Sequence, residues 1–457
     1  MTADTMVRNL ARFVAGTRIE DLSDTGLEQL KIRVLDSIGC ALGALGQPVP
    51  EAVLAQVGDM GGRPTASLMG GDRTAPDRAA LYNGTLVRYL DFNDSYLAPG
   101  ETCHPSDNLG AVLAAAEYAD ASGRDFLAAL AAAYQVQCRL SDVAPVRAHG
   151  FDHTTQGSYA AAAGVGRALA LGLEPLAHAI AISGTAFNAL RVTRTGTLSN
   201  WKGLAYPNAA FAATHATFLA AHGITGPTQV FEGNKGFMDS IAGRFEIDWS
   251  HEGLERVNRT IIKRFNAEIH SQSAIEATVE LRAEGMREAE QLESVDVDIF
   301  QVAYDIIGGG EEGAKTDVKI KEQADHSLPY MVAVALLDGE LLPAQYEPER
   351  ITASDVQGLL NKIKVRPVDE LSGRFPDQMP CRVEIHFRDG TNVSREKRDY
   401  LGFHSRPMDW DDVRAKYDRL AETATTEDLR GEIASVVAEL EERPVRDLTS
   451  LLRQVGQ

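Results

Sequence analysis

Cysteine is scarce in this chain of 457 residues, and its thiols are scattered along the sequence. There is no C-x-x-C pair and no Cys-rich spacing of the kind that binds a metal. The sequence therefore predicts neither a disulfide framework nor a cysteine-ligated metal, and it favours reduced thiols, mostly in the interior. The four cysteines are Cys40, Cys103, Cys138 and Cys381.

Long hydrophobic runs are also missing. No stretch of about 18 residues is free of charged or polar side chains, so we expect no membrane span. The first sixteen residues read MTADTMVRNLARFVAG, which carries charges throughout and lacks the uninterrupted apolar core of a signal peptide. We therefore expect a cytoplasmic location.

Positive charge is under-represented, because 45 Lys and Arg residues stand against 65 Asp and Glu residues, a formal net charge of −20. A nucleic-acid partner would need clustered cations, so we expect none. A role at a membrane surface is equally unsupported. The chain also lacks the glycine motifs of dinucleotide and P-loop sites and the G-x-S-x-G nucleophile elbow.

Acidic residues, abundant elsewhere, are missing from residues 175–231. That segment nevertheless contains Arg191, Arg194 and Lys202, in a stretch rich in Gly, Thr, Ser and Asn. Apolar core helices account for the lack of acids on either side of this stretch. They account less well for three cations without counter-ions in a loop. Because so acidic a chain attracts anions only where positive charge is shielded from acids, we predict an anionic small-molecule site there.

Helical periodicity dominates the first part of the chain, with alanine-rich segments whose small side chains favour close helix packing. Residues 294–300 alternate polar and apolar side chains as a half-buried strand does, and Asp389-Gly390 suggests a two-residue hairpin turn. We predict a mainly α fold with a large helical domain over 1–265, a smaller α+β domain over 266–400 and a helical return over 401–457. The predicted helices include 109–120, 126–141, 158–171, 176–190, 207–222 and 325–338, and the further strands are 362–368, 382–387 and 392–396.

The segment Asp91-Phe-Asn-Asp-Ser95 is a predicted polar loop, and His104 lies shortly after it, directly before Pro105. The residue before a proline avoids helical geometry, so His104 is presented from an extended turn, where it can act as a general acid or base. The alternative is that this segment only caps the helix that starts near 109. We expect no metal here, because the acids lack the spacing of a calcium loop and no H-E-x-x-H occurs.

Three further constellations carry candidate chemistry. His153 lies just before a predicted helix whose free N–H groups can bind a carboxylate, although capping of that helix is the simpler interpretation. Lys263, Glu268 and His270 converge at the predicted domain junction, where ligand sites are common but salt bridges are a fair alternative. Tyr304 precedes a glycine run, and His326 lies four residues before Tyr330, which one helical face can present together.

The candidate side chains are thus Asp, His, Lys and Tyr around an anion pocket. This set suits removal of a proton next to a carboxylate, with cations that hold the substrate and stabilise enolate-like charge. Elimination, decarboxylation and epimerisation all fit it.

Together, these segments resemble the MmgE/PrpD family over nearly the whole chain. The resemblance rests on Asp91-Phe-Asn-Asp, Cys-His104-Pro-Ser-Asp-Asn, Trp201-Lys-Gly, Ile-Lys263-Arg-Phe, Glu268-Ile-His270-Ser-Gln and Ala-Asp325-His-Ser-Leu-Pro-Tyr330. It implies a large helical domain with a smaller lid-like α+β domain, a homodimer, and neither a metal nor an organic cofactor.

The resemblance also implies a function and a set of site residues. We expect a carbon–oxygen lyase, a hydro-lyase similar to 2-methylcitrate dehydratase, acting on a small di- or tricarboxylate. The alternatives are a cis-aconitate-type decarboxylase, an epimerase of a dicarboxylate such as iminodisuccinate, and a non-catalytic carboxylate-binding protein. The candidate catalytic residues are His104, Lys202, Tyr304 and Asp91, and the candidate substrate-binding residues are His153, Lys263, His270, Arg191 and Ser95.

Overall fold

The computed structural model describes residues 4–196, 198–284, 291–311 and 313–456. Helices account for 58% of it, and the sheets are few and small, so the predicted mainly α fold class is confirmed. The described chain forms two compact units. The first comprises residues up to 194, 200–262 and from 408 onward, and the second comprises 195–199 and 263–407. The domain boundaries predicted at 265 and 400 remain predictions.

The first unit is built almost entirely from helices, which its alanine-rich sequence predicts. Its longer helices are Met6–Gly16, Asp24–Gly43, Pro48–Met60, Pro76–Tyr89, Leu109–Tyr118, Gly123–Val143, Thr154–Ala168, Leu173–Ala186, Trp201–Ala221, Trp410–Ala421, Glu427–Ala438 and Val445–Leu452. Two small antiparallel pairs accompany them: Ala66–Ser67 with Arg73–Thr74, and Tyr96–Ala98 with Glu101–Cys103.

Small side chains bring the central helices of this unit close together. A Cβ atom added to Gly164 would lie 2.8 Å from a methyl carbon of Val112 and 2.9 Å from the Cβ of Ala133. Real Cβ atoms do not approach so closely, so three helices can meet here only because position 164 is glycine. The predicted close packing of alanine-rich helices is confirmed.

The predicted limits of two helices near the acid-free loop are wrong. The helix expected over 176–190 ends at Ala186 and is followed by the short 3-10 helix Arg191–Arg194. The helix expected from 207 begins at Trp201, so Pro207 lies inside it. A proline removes one backbone hydrogen bond, but the flanking buried positions keep the segment helical. Lys202 therefore lies in the first turn of a helix rather than in a loop.

The second unit contains a four-stranded sheet with the order Ile363–Pro367, Leu292–Ile299, Cys381–Phe387 and Asn392–Lys397. The first pair is parallel, and the other two pairs are antiparallel. Its longer helices are Gln272–Ala283 and Leu328–Asp338. The strands confirm the predicted alternation, but the predicted two-residue turn is wrong, because residues 388–391 connect the last two strands.

The helix expected over 325–338 begins later, at Leu328. The Ser327 hydroxyl accepts a hydrogen bond from the Tyr330 amide at 3.1 Å and caps the helix, and Pro329 fits the first turn. His326 precedes this cap, so the predicted helical face shared by His326 and Tyr330 is wrong.

Within the described ranges, no single helix is long and apolar enough to cross a membrane. Only the sharply bent pair Asp24–Gly43 and Pro48–Met60 passes that test by length and composition together.

Candidate active site

The loop after helix Pro76–Tyr89 carries the main polar cluster of the first unit. Asp91 has φ +54°, a left-handed conformation that aspartate tolerates better than most residues. The chain then forms the hairpin of Tyr96–Ala98 and Glu101–Cys103, which brings His104 back beside residues 94 and 95. His104 is in extended geometry before Pro105, with φ −127° and ψ 88°. This agrees with the conformation that the proline predicts.

Both ring nitrogens of His104 have partners, and the side chain is 8% exposed. Nδ1 lies 2.8 Å from the main-chain carbonyl oxygen of Asp94 and 3.1 Å from the Ser95 hydroxyl. Nε2 lies 3.3 Å from Nη2 of Arg88. Ser95, expected to bind substrate, thus has its hydroxyl on the histidine ring, and it also pairs with Ile261 through the main chain.

Asp91 is held between two cations. Its Oδ1 accepts a hydrogen bond from Arg88 Nη1 at 2.6 Å, and its Oδ2 lies 3.3 Å from Lys202 Nζ. Both cationic side chains are buried, with Arg88 3% and Lys202 7% exposed. The structure therefore brings together three of the predicted site residues, Asp91, His104 and Lys202, with Arg88 between two of them.

The arginines of the acid-free segment have acidic partners, which corrects the expectation of cations without counter-ions. Asp152 is fully buried and lies 2.6 Å from Arg194 Nε and 3.9 Å from Arg191 Nη1. Burial alone would raise the pKa of Asp152, but the charge of Arg194 and the hydrogen bonds from Arg194 and the Thr154 amide act with other lowering causes, and together they lower the pKa. In the structure, these arginines therefore pair with the carboxylate of Asp152, which precedes the acid-free segment in the chain.

His153 is 2% exposed and lies edge-on to His104, with ring centroids 5.4 Å apart. Within the described part of the chain, neither of its ring nitrogens has a hydrogen-bond partner. Burial, and then the nearby arginines, lower the pKa of His153 to about 3 against the opposing charge of Asp152. The ring is therefore neutral at physiological pH, and its Nε2 lies 3.8 Å from Asp152 Oδ1.

The helix Thr154–Ala168 begins directly after His153. The hydroxyls of Thr154 and Thr155 are buried and have no hydrogen-bond partner among the residues that the structure describes. Buried polar groups are almost always hydrogen-bonded, so a group of partnerless ones indicates a place for a ligand or for water. Neither threonine side chain caps the helix; the Asp152 carboxylate accepts a hydrogen bond from the Thr154 amide at 3.2 Å and so already places an anion at this helix end.

Two buried carboxylic acids beside this cluster titrate near neutrality. Burial raises the pKa of Asp107 to about 7 against the charge of Arg88, whose Nε lies 3.7 Å from Asp107 Oδ2. Burial, and then the charge of Asp152, raise the pKa of Glu101 to about 7. Each can hold or release a proton at physiological pH.

The second unit has its own buried pair, Glu268 and His270. Glu268 accepts hydrogen bonds from His270 through the ring Nδ1 and the main-chain amide, both at 2.8 Å. Burial alone would raise the pKa of Glu268, but His270, and then His326 and Lys263, lower it to about 2. Lys263 is 1% exposed. The predicted convergence of Lys263, Glu268 and His270 is present within this unit.

Tyr304 begins a short π-helix that ends at Gly308. The following turn packs on the Tyr304 ring, because a Cβ atom added to Gly310 would lie 2.9 Å from its Cδ1. The turn is closed by a hydrogen bond from the Gly310 amide to the Tyr304 carbonyl at 3.0 Å. The glycines thus form a close turn around the tyrosine ring.

Sequence reasoning missed Arg88, Asp107 and Asp152. Arg88 is the last basic residue of an ordinary helix, and nothing in its neighbours predicts that it turns inward. Asp152 and Asp107 lay inside motifs that had been singled out, but only for the histidine or the helix cap beside them. In the sequence, the available signal was an acidic residue close to each of these histidines.

Models of a known protein family match most of the chain. The model of the MmgE/PrpD N-terminal domain matches residues 8–250, and that of the MmgE/PrpD C-terminal domain matches residues 265–442. The chain belongs to the MmgE/PrpD family, and the expected family is confirmed. Named relatives of this family are dehydratases and decarboxylases, so the chain is an enzyme of the lyase type.

Individual relatives are distant in sequence but cover most of the chain. A 2-methylcitrate dehydratase of Escherichia coli (strain K12) is 29% identical over 402 residues, which is 82% of this chain and 81% of that protein. A cis-aconitate decarboxylase of Mus musculus is 25% identical over 471 residues, 97% of this chain and 92% of that protein. A mitochondrial 2-methylcitrate dehydratase of Yarrowia lipolytica is 26% identical over 87% of this chain and 79% of that protein.

Proposed function

We propose that this chain is a cofactor-independent hydro-lyase that removes water from a small di- or tricarboxylate resembling 2-methylcitrate. The observation that carries the proposal is the pair of adjacent buried histidines. His104 has partners on both ring nitrogens, whereas neither ring nitrogen of His153 has a hydrogen-bond partner among the residues that the structure describes. In this proposal the first histidine moves a proton and the second binds the ligand.

In the proposed reaction, His104 takes a proton from a carbon next to a substrate carboxylate. The C–H electron pair forms the carbon–carbon double bond, and the hydroxyl on the neighbouring carbon leaves. The proton of the imidazolium joins the leaving hydroxide, so that water is released and no net proton is consumed, and Tyr304 remains a predicted catalytic residue.

Lys202, the His153 ring and the hydroxyls of Thr154 and Thr155 hold the substrate carboxylates in this proposal. A buried ammonium is a strong partner for a carboxylate, and the ring N–H and the hydroxyls can donate hydrogen bonds to it. Arg191 contributes positive charge beside them, although Asp152 shares it. Lys263 and His270 remain predicted substrate-binding residues.

The relatives favour dehydration, but the same proton abstraction serves other outcomes. Decarboxylation has a specific observation in its favour, because the decarboxylase from mouse covers 97% of this chain. Epimerisation would need only that the proton return to the other face. The homodimer, the cytoplasmic location and the independence from metal and cofactor remain predictions.

A substrate panel tests the proposal. The purified enzyme is incubated with 2-methylcitrate, citrate, cis-aconitate and iminodisuccinate, and products are followed by proton NMR. We expect an alkene product from 2-methylcitrate or citrate. Release of CO₂ from cis-aconitate would select the decarboxylase instead, and deuterium exchange without net conversion would select the epimerase. No conversion and no exchange with any of the four would overturn the proposal.

A further inference from the structure

Arg88 links Asp91 to His104, the base of the proposed reaction. From the last turn of helix Pro76–Tyr89, its Nη1 donates to Asp91 at 2.6 Å, and its Nη2 lies 3.3 Å from His104 Nε2. The side chain is 3% exposed. A guanidinium has only donors and keeps its proton, so it can fix the hydrogen-bond role of whatever faces it.

The partners of His104 determine which nitrogen carries the proton. The Asp94 carbonyl only accepts, so Nδ1, at 2.8 Å, must donate to it. Arg88 only donates, so Nε2 must accept. An imidazolium would direct a second N–H at the guanidinium and set two positive charges side by side. The surroundings thus select the neutral ring with its lone pair on Nε2.

We propose that Arg88 is the positioning residue that holds His104 neutral, in the Nδ1–H tautomer, as the resting base of the enzyme. The catalytic consequence rests on the proposed function, whereas the protonation state does not. Proton transfer to Nε2 requires that the substrate take the place of the 3.3 Å contact with Arg88, and the imidazolium that forms beside the guanidinium then gives its proton to the leaving hydroxide. Asp91 keeps the guanidinium in place, and Lys202 holds the other oxygen of Asp91.

Other charged and titratable groups surround this pair, and they are present both in the wild type and in the position-88 variants that are compared below. Those that contact His104 or Arg88, or adjoin them through a shared partner, are Asp91, Asp94, Asp107, Asp152, His153 and Lys202. These side chains are kept when only position 88 is varied, but the pKa of Asp107, which the charge of Arg88 lowers, rises in Arg88→Met, so the shift of His104 reports the loss of Arg88 together with that change.

Nitrogen-15 NMR of histidine-labelled protein, without substrate, tests the protonation state directly. The His104 signals are assigned by their loss in His104→Gln. We expect a protonated Nδ1 and an unprotonated Nε2 in the wild type. In Arg88→Met, we expect His104 to become charged at a pH about one unit higher, the scale of one lost neighbouring charge. A wild-type ring that is protonated on Nε2 would overturn the proposal.

Kinetics give a second readout. If the enzyme turns over a substrate from the panel, the acid limb of its pH profile of kcat/KM should move upward by about one pH unit in Arg88→Met. Arg88→Lys, which keeps a charge and folds more easily, should shift it by less. Unchanged acid limbs and unchanged NMR titrations in the folded variants would contradict the proposal.

A buried arginine of the same unit serves as the control. Arg33 is 2% exposed and hydrogen-bonds Thr260 and the Gln29 carbonyl; its charge acts on the Asp94 carboxyl, but its hydrogen bonds within the described residues go neither to His104 nor to Arg88. Arg33→Met should lower the thermal stability but leave the His104 titration in place. Because the NMR measurement needs no substrate, failure of the panel and failure of this proposal are separate results.

Discussion

At the scale of single residues, His104 is the group on which the proposed chemistry depends. We expect His104→Gln to lower kcat by about 10²–10⁴-fold, the usual contribution of a general base, with little change in thermal stability. Steady-state kinetics and a thermal melt measure the two effects. His149→Gln, at an exposed histidine of the same unit, is the control and should keep its activity. Equal activity of both variants would exclude His104 as the base.

Lys202 is expected to bind rather than to transfer protons. Replacing it with methionine keeps the length of the side chain and removes the charge that a substrate carboxylate would meet. We predict that Lys202→Met lowers kcat/KM by about tenfold to a hundredfold, mostly through KM, the scale of one buried charged hydrogen bond. Lys235→Met, at an exposed lysine, should change neither constant. A fall in kcat alone would instead place Lys202 in the chemical step.

The buried neutral ring of His153 should make stability depend on pH. Its folded pKa is about 3, below the ordinary 6.5, so the unfolded chain binds more protons between these values. Stability due to this group is therefore complete above about pH 6.5 and is lost as the pH falls toward 3. Asp107 and Glu101, with raised pKa values, act in the opposite direction in both proteins compared.

Denaturant unfolding at several pH values isolates this contribution. Between pH 4 and 6, wild type should lose up to about 1.4 kcal/mol more per pH unit than His153→Gln, the limit for one proton. Parallel pH dependences of the two proteins would show that His153 is charged in the folded state.

The sequence identified the histidines and Lys202 but not what holds them. The proline that follows His104 predicts the conformation of this residue, because the effect is local. The pairing of Lys202 with Asp91, and of Arg194 with Asp152, joins segments far apart in the chain, so no local pattern encodes it. For the same reason, the cations of the acid-free segment looked unpaired.

At the scale of elements, helix Thr154–Ala168 is placed by a glycine. A Cβ atom on Gly157 would lie 2.2 Å from the ring of Tyr206, a buried side chain that packs beside His153 and hydrogen-bonds Asn108. We predict that Gly157→Ala costs about 1–3 kcal/mol of stability, the range for overpacking a core. Calorimetric melting measures it.

Gly203→Ala is the matched control, because Gly203 lies early in helix Trp201–Ala221 with nothing within 4 Å of its added Cβ. Alanine should stabilise that helix by up to about 1 kcal/mol. Similar effects of the two substitutions would mean that the close approach at Gly157 does not constrain the fold.

Alanine and leucine periodicity predicted that the elements exist, but tertiary packing decided where they begin and end. Pro207 predicted a helix start, yet the helix extends back to Trp201, which puts Lys202 in its first turn. Ser327 supplies the cap that starts the next unit's helix after His326. The site therefore differs from the sequence picture mainly at the element ends.

At the scale of the whole molecule, the family resemblance predicts a homodimer. Size-exclusion chromatography with light scattering should give about twice the 49.4 kDa of one chain, without dependence on concentration over the micromolar range. A mass of 49.4 kDa at every concentration would refute the dimer while leaving the residue-level proposals intact.

The central claim is that a neutral His104 removes a proton next to a substrate carboxylate. Proton NMR of the wild type and of His104→Gln with 2-methylcitrate in D₂O tests it most directly. The account predicts an alkene product from the wild type, and neither product nor deuterium incorporation from His104→Gln. Wild-type protein that leaves 2-methylcitrate unconverted and unlabelled, or a variant as active as the wild type, would contradict it.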